Sequence, residues 1–308
     1  MKNRTVVNAH LSIFLSCLIW GLMSPIGKDA MNNGISGLDM VAFRVIGAGI
    51  LFWLTSLFIP SVKVSNHDKL MIALAALCGL VCNQCCFTIG LSLTSPINSS
   101  IITTTLPIVT MLLAALILHE PVTFKKVIGI LCGASGALIL VLGSISAASA
   151  KEGNLKGDLL CVISQFSFGF YLCIFKKLMK KYDVVTFQKW MFLFGSIMVI
   201  PLSFHSLSLL SWNTITVKTW LETAFVVVAA TYFAYIFNMI GQRILRPTVI
   251  SMYNYVQPIA ACIVSVMAGL AIFGWKQSIA IFFVFIGVYL VTKSKSHHDL
   301  EKEAKTDK

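Results

Sequence analysis

Apolar runs of about twenty residues recur along almost the whole chain. Each is long enough to cross the hydrocarbon core of a bilayer as a helix. Ten can be drawn, at approximately 11–31, 38–59, 70–91, 97–118, 124–143, 157–178, 184–204, 219–241, 247–270 and 273–293. The gaps between them are mostly under twelve residues, too short for a soluble domain. Only 12% of the residues are charged, against about 25% in soluble domains. A water-facing surface could not be covered with so few. The fold predicted is an all-α integral membrane domain of ten transmembrane helices, followed by a short charged tail, 294–308.

The first run follows Lys2 and Arg4. It is too long for the apolar core of a signal peptide, and nine more runs follow, so it reads as a retained helix. The net charge of +12 would suggest nucleic acid in a soluble protein. Here the basic residues sort by side instead. With ten spans and cytoplasmic termini, 18 of the 24 Lys and Arg fall on the cytoplasmic side and 6 on the other. This asymmetry orients the chain, and the anionic cytoplasmic leaflet accounts for the excess. The partners expected are a lipid bilayer and a small-molecule substrate, with no nucleic acid. A homodimer is left open.

All nine cysteines lie inside the runs, among them Cys82 and Cys85 with Cys86 alongside. No His or acid lies near them in sequence, so they read as small buried residues and not as a metal or redox site. No cofactor is expected. The sequon Asn98-Ser99-Ser100 opens a run after a tight loop and carries little weight.

An internal repeat divides the chain. Shifted by 151 residues, the segment 90–141 lies on 241–292 without a gap. Gly90 meets Gly241, Pro96 meets Pro247, Ser100 meets Ser251, Pro107 meets Pro258 and Gly136 meets Gly287. A shift of 148 aligns the front of each half, with Gly21 on Gly169, Lys28 on Lys176 and Met31 on Met179. The boundaries predicted are 1–143 and 157–293 for two five-helix repeats, joined by a linker at 144–156. Five is odd, so the second repeat enters the membrane from the opposite side and the repeats are inverted. Secondary transporters recurrently use this plan, with the substrate site at the repeat interface near mid-membrane.

Pro107 and Pro258 fall near the middles of the fourth and ninth runs. A proline cannot donate to the carbonyl four residues earlier, which frees those of Thr103 and Asn254. Unsatisfied polar groups are expensive in hydrocarbon. They find partners in neighbouring helices, as interhelical glue, or in a wet substrate path. Candidate pathway residues are Trp20, Asn83, Gln84, Asn98, Thr103, Tyr171, Asn238, Tyr253, Asn254 and Gln257. Asn83 and Gln84 point about 100° apart on a helix, so at most one is expected to face a central path squarely. For Trp20, and for Phe168 with Tyr171, the alternative is packing or an interfacial belt.

Arg44 lies six residues into the second run. Either it snorkels to the outer interface, or it is a fixed charge that holds a carboxylate or closes a gate against Asp39 or Asp29. Glu120 ends the fourth run before Pro121 and can brace Lys125 or Lys126 or act in gating. Its repeat partner is Ala271. No Asp or Glu occupies the middle third of any run, which argues against a proton-coupled antiporter of lipophilic cations.

These features together resemble the EamA family of the drug/metabolite transporter superfamily. The resemblance rests on Trp20-Gly21 followed by Pro25, on Phe43-Arg44, and on Gly90-Leu91-Ser92-Leu93-Thr94-Ser95-Pro96. It continues through Pro107, Glu120 and the spaced Gly129, Gly133 and Gly136, then Gly241, Pro247, Tyr253 and Pro258. It implies ten helices in inverted repeats and a central cavity lined mainly by helices other than the fifth and tenth. It also implies export or exchange of amino acids and other metabolites. Many relatives carry a glutamate at the position of Ala271, so any mechanism using two glutamates is in doubt. No proline stands at Cys173, the partner of Pro25.

The leading expectation is a secondary transporter exporting small, amino-acid-like metabolites by alternating access, with Pro25, Arg44, Pro107, Glu120 and Pro258 in gating or helix-shaping roles. Minimal loops point to a bacterial inner membrane. A nucleotide-sugar or sugar-phosphate exchanger is the alternative, and would need several basic residues at cavity depth; Arg44 and, more weakly, Lys189 are candidates. An integral-membrane enzyme lacks a convergent acid–base set among Asp29, Asp39, Glu120 and Glu222. A channel is the remaining class.

Overall fold

A computed structural model of the chain describes residues 2–60, 62–94, 96–143, 154–267 and 275–295. Side chains at some positions within these helices, Asn98 among them, fall outside the description, as do Ala271 and the tail beyond 295. All regular secondary structure among the described residues is helical. Seven helices among them are long and apolar enough to cross a membrane.

Helices α1 (Lys2–Asn32) and α2 (Gly37–Ser56) come first. The first extends further back than its apolar run, because hydropathy marks the buried length and not the helix limit. Helix α2 opens on a capping box, in which Ser36 Oγ accepts from Asp39 N and Asp39 Oδ2 accepts from Ser36 N, each at 3.1 Å. That arrangement satisfies two donors left over at a helix start. Ser65 caps α3 (Asn66–Ala76) in a similar way. A six-residue π-turn, Leu77–Cys82, joins α3 to α4 (Asn83–Leu93). The fourth run divides into α5 (Pro96–Thr103) and α6 (Leu106–Leu118), and the fifth is α7 (Phe124–Gly143).

The second half follows a similar order. Helix α8 (Leu155–Ile174) leads into the short α9 (Lys176–Lys181), and α10 (Val184–Leu209) starts from an Asp183 cap. Helices α11 (Val217–Val227) and α12 (Ala234–Ile244) are joined by a second π-turn, Val228–Phe233. Helix α13 (Pro247–Met252) passes through a 3₁₀ turn, Tyr253–Tyr255, into α14 (Val256–Met267), and α15 (Trp275–Thr292) is last.

The two π-turns lie 151 residues apart, the offset of the sequence repeat. Contacts between and within the halves obey the same arithmetic. Ser16 on α1 donates to Ala234 O on α12 at 2.9 Å, and their counterparts Ser164 and Asn83 join α8 to α4 at 2.9 Å. A Cβ on Gly90 would meet Gly157 O and Cys161 Sγ at 2.8 Å; one on Gly241 would meet the counterparts of those residues, Ala9 and Ile13. Lys28 donates to Thr94 O at the end of α4, and Lys176 to Leu245 O at the end of α12. Helices α7 and α15 meet through Gly129 against Gly287 and Gly136 against Ala280, and those two pairs exchange under the offset. Small residues at such crossings bring backbones close where no hydrophobic force drives helices together.

Pro107 and Pro258, near the middles of their apolar runs, do not lie inside continuous helices. Before Pro107 the chain has already tightened, with Thr104 N and Thr105 N donating to the carbonyls three residues back at 3.1 and 3.0 Å. Pro107 then stands in the first turn of α6, where the missing N–H costs no helix bond. Pro258 likewise lies in the first turn of α14, after its 3₁₀ turn. Each proline starts a new segment instead of bending a continuous helix. Pro25 is inside α1, where it cannot donate to Gly21 O.

Candidate functional site

Both interruptions of the ninth and fourth runs, and the two helices that follow π-turns, converge on one cavity. It takes in about 570 Å³ of empty space, its open mouth included. Trp20, Met23 and Ser24 line it from α1, and Arg44 from α2. Asn83, Gln84 and Phe87 enter from α4, and Thr103 and Leu106 from either side of the first break. Ser164, Gln165 and Phe168 come from α8, Tyr235 from α12, and Asn254 and Gln257 from the second break. Among the described residues neither α7 nor α15 contributes.

Aromatic rings wall the cavity, and its polar lining consists of five amides, three serine and threonine hydroxyls and Arg44. Trp20 donates from its indole to Ala230 O in the second π-turn at 3.0 Å, which fixes its plane. Phe168 and Tyr235 meet the indole edge-on, with centroids 6.1 and 5.8 Å away. Asn83 and Gln84 both reach the cavity, contrary to the expectation that at most one would. Asn83 turns to Ser164 on α8 and Gln84 donates to Tyr235 Oη on α12 at 2.6 Å, so adjacent residues serve opposite walls. Gln257 donates to Asn254 Oδ1 at 2.6 Å across the second break. Gln84 Oε1 is buried and has no hydrogen-bond partner among the described residues.

Among the described residues Arg44 is the one charged residue lining this cavity. It is 4% exposed, so it does not snorkel. Its Nε donates to Thr231 Oγ1 at 3.0 Å, and Thr231 in turn donates to Val226 O at 2.8 Å, an acceptor next to the second π-turn. Among the described residues no carboxylate is within ion-pair distance of it. The two acids expected as gate partners are engaged elsewhere. Asp39 caps α2, and Asp29 pairs with Lys218 at 2.6 Å. A buried guanidinium anchored through Nε leaves the two terminal nitrogens, the fork suited to a carboxylate or phosphate.

Three expected pathway residues are not at the cavity. Tyr171 is buried behind it, stacked on Phe168 with centroids 5.7 Å apart, and its hydroxyl donates to Gln242 Oε1 at 3.2 Å. Its ring fills the space over Gly79 in the first π-turn. Asn238 accepts from Gln242 one turn later, and the three form a closed polar network. Tyr253 pairs with His10 at 2.8 Å on another face. The side chain of Asn98 lies outside the described residues. Conversely, Met23, Ser24, Phe87, Leu106, Ser164 and Gln165 were not expected as lining. Of these Gln165 carried a legible signal, an amide in the middle of an apolar run.

Glu120 stands at one end of the bundle, away from the cavity. It accepts from Lys126 at 3.2 Å and from Thr248 at 3.1 Å, which ties the end of α6 to the start of α13. Other cross-half ties are Asp68 with Lys181 and Tyr182, and Asp29 with Lys218. Lys189 does not reach the cavity; its ammonium lies 5.3 Å over the Trp53 ring on the outer face.

Comparison with known proteins agrees with this arrangement. The model of the EamA-like transporter family matches residues 7–142 and again 155–293. The transporter YetK of Bacillus subtilis, named as uncharacterized, is 22% identical over 95% of this chain and 89% of its own. A WAT1-related protein of Arabidopsis thaliana is 27% identical over 94% of this chain and 80% of its own. An uncharacterized transporter of Archaeoglobus fulgidus is 24% identical over 94% and 98%. One crystal structure superposes with a TM-score of 0.73 at 15% identity, covering 92% of this chain and 96% of that one, and so shares the fold. This chain is an integral membrane protein and belongs to the EamA-like transporter family.

Proposed function

We propose that this transporter carries small metabolites bearing a carboxylate, amino-acid-like in size, by alternating access between two inverted five-helix repeats, and that it exports them across a bacterial inner membrane with both termini in the cytoplasm. The observation that carries the substrate reading is Arg44, a buried cation without a carboxylate partner at a cavity walled by Trp20, Phe168 and Tyr235. An ionisable residue inside a membrane is costly and is retained for function. A substrate carboxylate would supply the missing charge. Amide oxygens, including that of Gln84, are the acceptors left for an ammonium or hydroxyl group.

The inverted-repeat reading is supported by the π-turns and interhelical contacts that recur at the sequence offsets. The ten-span reading adds α7, the α13–α14 pair and α15 to the seven long helices. Alternating access would then break the cross-half ties at one end while keeping those at the other, with Glu120–Thr248 and Asp29–Lys218 at opposite ends. A nucleotide-sugar or sugar-phosphate substrate fits less well, because its several negative charges would face a single arginine.

Ligand-induced stabilisation of the purified protein tests the proposal. A ligand that binds the folded state raises its melting temperature. Neutral amino acids should stabilise it, while their amides and decarboxylated amines should not. Equal stabilisation by the amides would remove the carboxylate from the recognition scheme.

A further inference from the structure

A second cavity lies on the opposite side of α2, facing outward between α2 and α10. It holds about 710 Å³ of empty space and is open to the surface. Ile46, Ile50 and Leu54 form one wall and Leu193 the other, while Gly49 and Ser196 keep its floor low. Trp53 and Leu57 line it toward the C-terminal end of α2. Such a trough suits a hydrocarbon chain in shape and polarity.

The end at Trp53 has a different chemistry. Trp53 and Trp190 meet edge to face with centroids 5.8 Å apart. Lys189 Nζ lies 5.3 Å from the Trp53 centroid and Lys69 Nζ 4.7 Å from that of Trp190. Among the described residues neither ammonium forms an ion pair with a carboxylate; Asp68, next to Lys69, is engaged by Lys181 and Tyr182. The exposed Lys63 belongs to the α2–α3 connection at the same end. Paired tryptophans mark the depth of a membrane–water interface. Cations beside them, at the end of an apolar trough, are complementary to a phosphate joined to an acyl chain.

We propose that this groove is a binding site for one anionic phospholipid, its phosphate on Lys69 and Lys189 and an acyl chain along α2 and α10. A second copy of the chain is the less suitable occupant. A two-fold pairing through the same face, about an axis along the membrane normal, would bring both copies' lysines to the same depth, charge against like charge.

Native mass spectrometry of the full-length protein in detergent tests this, with equimolar phosphatidylglycerol and phosphatidylcholine of identical acyl chains. The wild type should retain the anionic lipid about fivefold or more over the zwitterionic one, the scale expected for lysines at a membrane surface. Lys69→Gln with Lys189→Gln should bring the ratio to about one. Ser196→Phe, which fills the trough and leaves the charges, should reduce adducts of both lipids. Millimolar inorganic phosphate should not displace bound lipid. A wild-type ratio of one, a double variant with its preference intact, or unchanged adducts after Ser196→Phe would overturn the proposal. So would displacement by phosphate, or a dimer that Ser196→Phe dissociates.

Discussion

The two halves of the molecule share a backbone plan and differ in what they show to the cavity. Position by position, Trp20 answers to Phe168, Gln84 to Tyr235, Thr103 to Asn254 and Leu106 to Gln257, and all eight line it. Elsewhere the match lapses. Arg44 corresponds to the buried Phe192, Asn83 to Ala234 and Phe87 to Asn238. The elements that repeat govern how helices turn and cross: glycines, prolines, π-turns and serine bridges. Those that differ decide charge and hydrogen bonding inside. Under the proposed alternating access, a nearly symmetric scaffold would exchange two conformations while the ligand is recognised asymmetrically.

Breaking the largest asymmetry should have the largest effect. Arg44→Gln removes the one lining charge and should cost transport about 100-fold, since truncating one partner of a buried charge pair costs about 2–5 kcal/mol. Arg44→Lys should recover little if the fork geometry matters. Initial rates in proteoliposomes read both.

The π-turns offer a sharper contrast. Gly79 has no room for a Cβ because the Tyr171 ring lies over it, whereas its counterpart Ala230 already carries one. Gly79→Ala should destabilise by about 1–3 kcal/mol through overpacking, and Ala230→Gly by about 0.5–1 kcal/mol. Denaturation of both variants in one detergent tests the difference; equal losses would mean the turns are packed alike.

Pro107→Ala should let α5 and α6 fuse across Thr104 and Thr105, lowering transport about tenfold, or about 1.4 kcal/mol in barrier, with little loss of folding. Wild-type transport by the variant would show that the break does not depend on proline. The smallest effect belongs to the matched serines. Ser16→Ala and Ser164→Ala should each cost about 0.6 kcal/mol, the average for hydrogen bonds between membrane helices. A large difference between them would mark the bridges as unequal despite their shared place.

Much of the scaffold could be read from the residues, because prolines and glycines act locally and recur at a fixed offset. The π-turns could not. Leu77–Cys82 and Val228–Phe233 share almost no residue types, and the extra residue in each turn is set by packing around it. Polarity inside an apolar run picked out Asn83, Gln84, Thr103, Asn254 and Gln257, which line the cavity. The same guide also picked Asn238, which does not line the cavity: it accepts from Gln242, whose own amide oxygen accepts from Tyr171. Tyr171 and Phe168 sit three apart on one helical face, and nothing in their spacing says which ring backs onto Gly79. Arg44 was legible as unusual but not as buried, since depth along a helix does not tell which side of it faces lipid.

The account stands most directly on counterflow. Purified protein would be reconstituted in proteoliposomes, preloaded with an unlabelled neutral amino acid, and offered a trace of its labelled form, beside Arg44→Gln in the same lipids. A carboxylate carrier predicts saturable accumulation by the wild type that the carboxamide analogue does not support and the variant largely loses. Accumulation that Arg44→Gln leaves unchanged, or no accumulation of any carboxylate by folded protein, would contradict it.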